Sequence, residues 1–264
     1  MNDHRLAAAI AQQAGNMLAD LQSFSAAQPA PDDETLLALR SAALGDEGDA
    51  FAQEVLSRLL AAQRPDDVSL SEEAADNRQR LSANRVWIID PLDGTRQFAM
   101  GTPEYAVHVA LWERGSSTPG RISAAAVCVP GLGITLATDD DSTAATPEHE
   151  GIRLLVSRSR PPRELDALVA SLEADTGKLV TTVPIGSVGA KVAHVIGGSA
   201  DLYVHTSGFS EWDLAAPLAI ACHYGLLAAD RGGHPIEFNK PDTAVSSVVL
   251  GRPELVALAV DALT

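Results

Sequence analysis

The stretch Val86-Trp87-Ile88-Ile89-Asp90-Pro91-Leu92-Asp93-Gly94-Thr95 decides how the rest of the chain is read. Its four leading residues are apolar and mostly β-branched or aromatic, the pattern of a strand buried on both faces. The run stops at a carboxylate. Asp90 therefore stands at the C-terminal end of a strand, where layered α/β proteins build their sites. Pro91 stiffens the turn, and Asp93 returns a second carboxylate to the same place with the Leu92 carbonyl between them. Gly94 lets the backbone approach a ligand closely, and the amides of Gly94 and Thr95 can grip a phosphate oxygen where a helix begins. An acidic turn that only caps a helix is the alternative. The apolar strand and the Gly-Thr pair favour a site.

Two further acidic clusters sit at the boundaries of apolar segments: Ser71-Glu72-Glu73 after Val68 and Leu70, and Ser210-Glu211-Trp212-Asp213 at the start of an almost wholly apolar helix. Each alone has a bland reading: a solvated loop for Glu72 and Glu73, a first-turn acid favoured by the helix dipole for Asp213. If Glu72, Asp90, Asp93 and Asp213 converge, each like-charged pair at about 4 Å and an effective dielectric near 20 costs about 4 kcal/mol. Such a group needs counter-ions. Hard oxygen donors without Cys or His point to Mg²⁺ or Mn²⁺, and to metal-assisted hydrolysis of a phosphate ester.

Composition narrows the field. The chain has 264 residues, and at 46% hydrophobic it can bury a substantial core, which excludes a disordered chain. Lys plus Arg is 19 and Asp plus Glu is 35, a net charge of −16 that repels nucleic acid and anionic membranes at long range. A local cluster of cations can still receive a small anionic substrate. Cys128 and Cys222 lie in apolar stretches without a Cys-x-x-Cys pair, which argues for two buried, reduced thiols and against a zinc site. Neither a signal-peptide pattern nor a membrane-length apolar run is visible, so a soluble cytoplasmic protein is expected.

Apolar spacing at Leu6, Ile10, Met17, Leu18 and Leu21 predicts a helix over 4–23, followed by a break at Pro29 and Pro31. A short helix over 33–43 is expected next. Asp49 then caps a further helix with an apolar face of Phe51, Val55, Leu56, Leu59 and Leu60, ended by Pro65. Strands are expected over 105–112, 122–129 and 134–137, with an exposed connection over 139–151. Beyond it, strands over 154–156, 179–183, 202–204 and 246–250 alternate with helices over 162–172, 188–196, 212–224 and 253–263. The mixture indicates a layered α/β or α+β class, read as one compact unit with approximate halves 1–145 and 146–264.

The strand-turn motif ending in Asp90-Pro91-Leu92-Asp93-Gly94-Thr95, with Ser71-Glu72-Glu73 upstream and Trp212-Asp213 downstream, resembles the Mg²⁺-dependent, lithium-sensitive inositol monophosphatase superfamily over nearly the whole chain. The resemblance implies a layered α-β-α-β-α sandwich. It implies that Glu72, Asp90, the Leu92 carbonyl, Asp93 and Asp213 hold two or three Mg²⁺ ions, replaceable by Mn²⁺, and that Gly94 and Thr95 hold the scissile phosphate. Glu72, Thr95 and Asp49 would activate the attacking water. Leu44-Gly45-Asp46-Glu47-Gly48-Asp49 departs from the family's Thr-x-x-Asp, so Asp46 competes with Asp49. Arg96 and Phe98, Val156 to Arg160, Ile185-Gly186-Ser187 with Lys191, and Ser210 to Asp213 resemble the branch that acts on 3′-phosphoadenosine 5′-phosphate (the CysQ type), in its actinobacterial form; Gln97 departs from it. That branch implies substrate contacts from Arg96, Ser157, Arg160, Lys191 and Glu211, with Arg160 and Lys191 facing a second phosphate. It also implies a homodimer, a role in sulfate assimilation, and turnover of the sulfated nucleotide.

The alternatives are an inositol-1-phosphate or fructose-1,6-bisphosphate phosphatase of the same superfamily, and a non-catalytic protein that uses the site to sense a ligand. The seven histidines show no metal-ligand spacing and read mostly as surface or core residues, with His205 near enough to the Trp-Asp motif to touch substrate. Trp212 is expected to pack under the site.

Overall fold

A computed structural model describes residues 1–116 and 119–264. Helix α1 (Asp3–Ala26) buries Leu6, Ile10, Ala14 and Leu18, one row at helical spacing. Helix α2 (Glu34–Gln63) follows and packs beside it. Then come strand β1 (Val68–Ser71), strand β2 (Arg85–Asp93), the short helix α3 (Thr95–Ala99), and strands β3 (Ala106–Glu113), β4 (Arg121–Val129) and β5 (Ile134–Ala137). A connection without helix or strand leads to β6 (Ile152–Ser157), α4 (Leu165–Thr176), β7 (Val180–Ile185), α5 (Val188–Ile196) and β8 (Leu202–His205). The two-residue β9 (Phe209–Ser210), α6 (Glu211–His223), β10 (Leu227–Ala229), the two-residue β11 (Ala244–Val245), β12 (Val248–Gly251) and α7 (Pro253–Leu263) complete the chain.

Among the described residues the strands form two main sheets. The first has the order β1-β2-β3-β4-β5, with only the β1–β2 pair parallel. The second has the order β10-β12-β8-β6-β7, with β6 parallel to both β7 and β8. Alternation along β3 shows how the layers arise. Val107, Val109 and Leu111 face α1 and α2, while Ala106, Ala110 and Trp112 face a central core shared with α5, α6 and the second sheet. The far face of the second sheet, with Leu154 and Val156, is covered by Leu168 and Leu172 of α4 and Val256 and Ala259 of α7. The result is the α-β-α-β-α stack expected from the sequence.

Most expected elements are present within a few residues. Three expectations are corrected. Residues 33–43 and the segment after Asp49 are one continuous helix, α2, so Asp49 is an interior residue and not a cap. Within this helix Gly48 is a close-approach position: a Cβ there would lie 2.6 Å from Phe98 Cε1 and 2.9 Å from Leu92 Cδ2. Phe51 is 41% exposed, whereas Leu56 and Leu60 carry the apolar face. Cys128 is a buried free thiol, but Cys222 is exposed near the end of α6. Strand β1, not foreseen as a strand, pairs in parallel with β2. No helix among the described residues is long and apolar enough to cross a membrane.

Replacing Gly48 with Ala tests the close approach of α2 to the turn after β2. Alanine ordinarily adds about 1 kcal/mol inside a helix, but overpacking costs about 1–3 kcal/mol, so a net loss of up to about 2 kcal/mol is expected. Thermal unfolding should show a lower Tm; a higher one would contradict the packing described.

Candidate active site

Parallel pairing sets the first carboxylates. Ser71 lies opposite Ile89, so Glu72 leaves its strand beside Asp90. Between β2 and β3, Asp90 pairs with His108 and Asp93 with Ala106, which leaves one extra residue on β2. This bulge undoes the alternation that would send residues three apart to opposite faces. Gly94 then turns the chain at φ +90, and a Cβ there would crowd the Glu104 carbonyl and Ser187. Asp213 arrives from α6. Its Oδ2 accepts the Ser210 amide at 2.6 Å in a capping box, so one oxygen closes the helix start and the other is free for the site.

One carboxylate oxygen from each of Asp90, Asp93 and Asp213 lies within 4.8 Å of the others. Asp93 Oδ2 accepts Ser187 Oγ at 2.6 Å and the Gly189 amide at 2.8 Å. Asp90 Oδ1 accepts the Leu92 amide at 3.1 Å, while its buried Oδ2 has no hydrogen-bond partner among the described residues. Glu72 stands on an exposed turn and faces the same cavity from its rim, outside the tight triad.

The electrostatics follow from burial and crowding. Burial, then Asp93, Glu72 and Asp213, push the Asp90 carboxyl well above the usual range. Glu72 is pushed up to about 7 by partial burial, Asp213 and Asp49, and Asp213 to about 6 chiefly by burial. Burial would raise Asp93 too, but His108, Lys191 and Ser187 hold it low. A buried, unpartnered carboxylate oxygen among oxygen donors fits a divalent cation, which would replace the missing counter-charge.

Thr95 Oγ1 has one proton and two acceptors in reach, the Leu92 carbonyl at 3.1 Å and Asp49 Oδ1 at 3.4 Å. Burial and Glu73 raise Asp49 to about 7. Asp46 makes no hydrogen bond to Thr95; it touches the site only as a neighbouring charge on Asp49.

The expected substrate residues divide. Ser157 and Arg160 line the cavity, with the Arg160 amide donating to Ser157 Oγ at 3.2 Å and its guanidinium reaching the Gly208 carbonyl at 3.3 Å. Lys191 also lines it, but its buried ammonium donates to the carbonyls of Ile185, Gly186 and Ser187, so it steadies that turn. Arg96 is exposed outside the cavity, and Gln97 lines the wall in its stead. Glu211 is fully buried and accepts the amides of Asn239 and Lys240. Two residues along a helix are about 200° apart, so Glu211 and Asp213 cannot both face the cavity. His205 lines it, bonded to Ser207 Oγ at 2.6 Å and held down to about 4 chiefly by burial. Trp212 is partly buried and packs against the central core.

Sequence reasoning missed His108, Tyr203, Phe209 and the Ser187–Gly189 clamp on Asp93. The signal for His108 was one polar residue inside an otherwise apolar strand.

A sequence model of the inositol monophosphatase family matches residues 2–261. A Mycobacterium bovis protein described as 3′-phosphoadenosine 5′-phosphate phosphatase is 40% identical over 224 residues, covering 83% of this chain and 82% of its own. A Mycobacterium leprae protein of the same description is 38% identical over 264 residues, covering 97% and 91%. The crystal structure of CysQ from Bacteroides thetaiotaomicron aligns at a TM-score of 0.72 with 24% identity, covering 95% of this chain and 97% of that one; at that identity the likeness speaks for the fold.

A cation binds the ionised carboxyls, so metal affinity should rise as pH passes upward through about 6 and about 7, the values of Asp213 and Glu72. Calorimetry with Mn²⁺ should show tightening from pH 5.5 to pH 7.5 and proton release at the lower end. Affinity flat across that window would mean that the carboxylates do not act together.

Proposed function

The chain belongs to the inositol monophosphatase family, and from that premise we propose that it is a Mg²⁺-dependent phosphomonoesterase that removes the 3′-phosphate of 3′-phosphoadenosine 5′-phosphate and of its sulfated form. The observation that carries this reading is the pairing, in the lining of one cavity, of the Asp90-Asp93-Asp213 triad with Arg160. An ester with two separated phosphates needs both: a cation site at the scissile group and a fixed positive charge at the other. The names of the mycobacterial relatives support the nucleotide as that ester.

In this reading Asp90, the Leu92 carbonyl, Asp93, Asp213 and Glu72 hold two or three Mg²⁺ ions. Bound there, the ions supply positive charge against the phosphoryl oxygens. Gly94 and Thr95 orient the scissile phosphate at the turn. Thr95 Oγ1 takes the proton of the attacking water and passes its own to Asp49 Oδ1, 3.4 Å away. Asp49, raised to about 7, is poised to receive it near neutral pH. Ser157 and Arg160 bind the 5′ end, where the guanidinium can grip two phosphate oxygens. The chain acts as one phosphatase unit whose halves, 1–145 and 146–264, supply most of the cation ligands and the substrate contacts respectively. It works as a homodimer in the cytoplasm.

The direct test is phosphate release with Mg²⁺ from 3′-phosphoadenosine 5′-phosphate, its sulfated form, inositol-1-phosphate and fructose-1,6-bisphosphate side by side. The nucleotides should show the highest kcat/KM; preference for either sugar phosphate would overturn the substrate assignment, and no release from any would favour a sensing role. Asp93→Asn and Glu72→Gln proteins should keep their far-ultraviolet circular dichroism and lose most turnover.

Arg160→Ala should raise KM for the bisphosphorylated nucleotide by about tenfold to a hundredfold, the scale of a charge-assisted hydrogen bond of about 1.5–3 kcal/mol. The loss for an aryl phosphate with a single phosphoryl group should be much smaller. Equal losses on both would place the guanidinium elsewhere in the reaction.

A further inference from the structure

His108 occupies a position where the strand pattern calls for an apolar residue. It lies between Ala106 and Ala110 on the β3 face that looks into the central core, and its side chain is fully buried. An imidazole in such a place costs free energy unless its nitrogens are engaged. Nδ1 lies 3.3 Å from the Trp212 carbonyl, which can only accept, so the ring donates there. Nε2 rests 3.2 Å from Asp93 Oδ2, close but not aligned as a hydrogen bond. Nδ1 is also 3.9 Å from Asp90 Oδ2, the oxygen without a partner.

The ring therefore touches both sources of the triad. On one side are the two carboxylates of β2; on the other is the peptide immediately before Asp213 in α6. The third side is closed by α5, where a Cβ on Gly189 would lie 2.5 Å from Nε2. Gly189 is thus the residue that lets α5 bring its amide to Asp93 Oδ2 while the ring lies alongside. Ser187, Gly189 and His108 crowd the same oxygen, which leaves Oδ1 to face the cation site.

We propose that His108 is a positioning residue of the cation site: a buried spacer that sets the distance between the β2 carboxylates and Asp213 by lying against Asp93 while Nδ1 donates to the Trp212 carbonyl. The inference rests on the divalent-cation site proposed above. It assigns His108 no contact with substrate. Groups that orient metal ligands from behind typically change metal affinity or activity about 10–100-fold when removed.

The test compares the unaltered protein with His108→Phe, which keeps the ring's bulk and loses both polar contacts, and His108→Asn, whose amide can still reach the Trp212 carbonyl but not Asp93. Mn²⁺ binding is measured by titration calorimetry without substrate, with circular dichroism and Tm recorded alongside. The Phe variant should bind Mn²⁺ about 10–100-fold more weakly, and the Asn variant should recover part of that loss. In turnover assays, raising the metal concentration should restore kcat, with KM for the nucleotide little changed. A residue that only fills space would lower Tm and leave the Mn²⁺ affinity of the folded protein as it was, and that result would overturn the proposal. If the Phe variant does not fold, the Asn variant decides: unaltered Mn²⁺ affinity overturns the proposal, intermediate affinity supports it. Calorimetry involves no substrate, so an unaltered protein that binds Mn²⁺ yet releases no phosphate sinks the proposed reaction alone. An unaltered protein that binds no Mn²⁺ sinks both.

Discussion

Mutual repulsion among carboxylates is the constraint around which this molecule is arranged. Asp90 and Asp93, both buried, and the half-buried Asp213 are drawn together in one cavity, and Glu72 leans in from the rim. Without counter-charge such a group favours protonation, as the raised values of Asp90, Glu72 and Asp213 express. The fold answers by tying oxygens down one at a time. Ser187 and Gly189 hold Asp93, the Leu92 amide holds Asp90, and the Ser210 amide holds Asp213. Each tie uses one oxygen of a carboxylate and leaves the other to the site.

The layered architecture makes these ties possible. Strands β1 and β2 run in parallel, and the starts of α5 and α6 meet the acids at the end of β2. The α5 turn brings its serine hydroxyl and glycine amide, and α6 brings Asp213. Lys191 steadies the α5 turn by donating to three successive carbonyls beneath it. That ammonium lies over the Tyr203 ring, 4.8 Å from its centroid, and its pKa falls to about 8 chiefly through burial. A cation held so firmly shapes the cavity wall and has no donor left to pursue a ligand.

Much of this is legible in the amino-acid sequence. The apolar run into Asp90 located β2 and the site, because burial on both faces leaves a plain trace in composition. Helices α5 and α7 match their expected bounds, since glycine and proline punctuate them. The failures share a cause, which is contact between residues distant in sequence. The reading of α2 as two helices leaves out its middle, where Gly45 and Gly48 let the helix meet Thr95, Leu92 and Phe98. Glu211 is expected at the site because Ser210-Glu211-Trp212-Asp213 resembles the nucleotide branch; helical rotation turns it toward Asn239 and Lys240, beside the buried Arg80. The bulge at Asp90–Asp93 leaves no mark in composition at all.

Strand β1 has a consequence of its own. It is four residues long and pairs with the sheet along one side only, and its other ties are the burial of Leu70 in the central core and the Ser71 Oγ hydrogen bond to Gln53 Oε1 at 2.6 Å. Glu72 hangs from its end, while the other three acids are anchored deep in the body. Fraying at this margin would carry one carboxylate away and leave the triad intact. The molecule thus has a seat for charge built into its body and a fourth acid beside it, whose place is set by the β1–β2 ladder, the packing of Leu70 and the Ser71–Gln53 bond together.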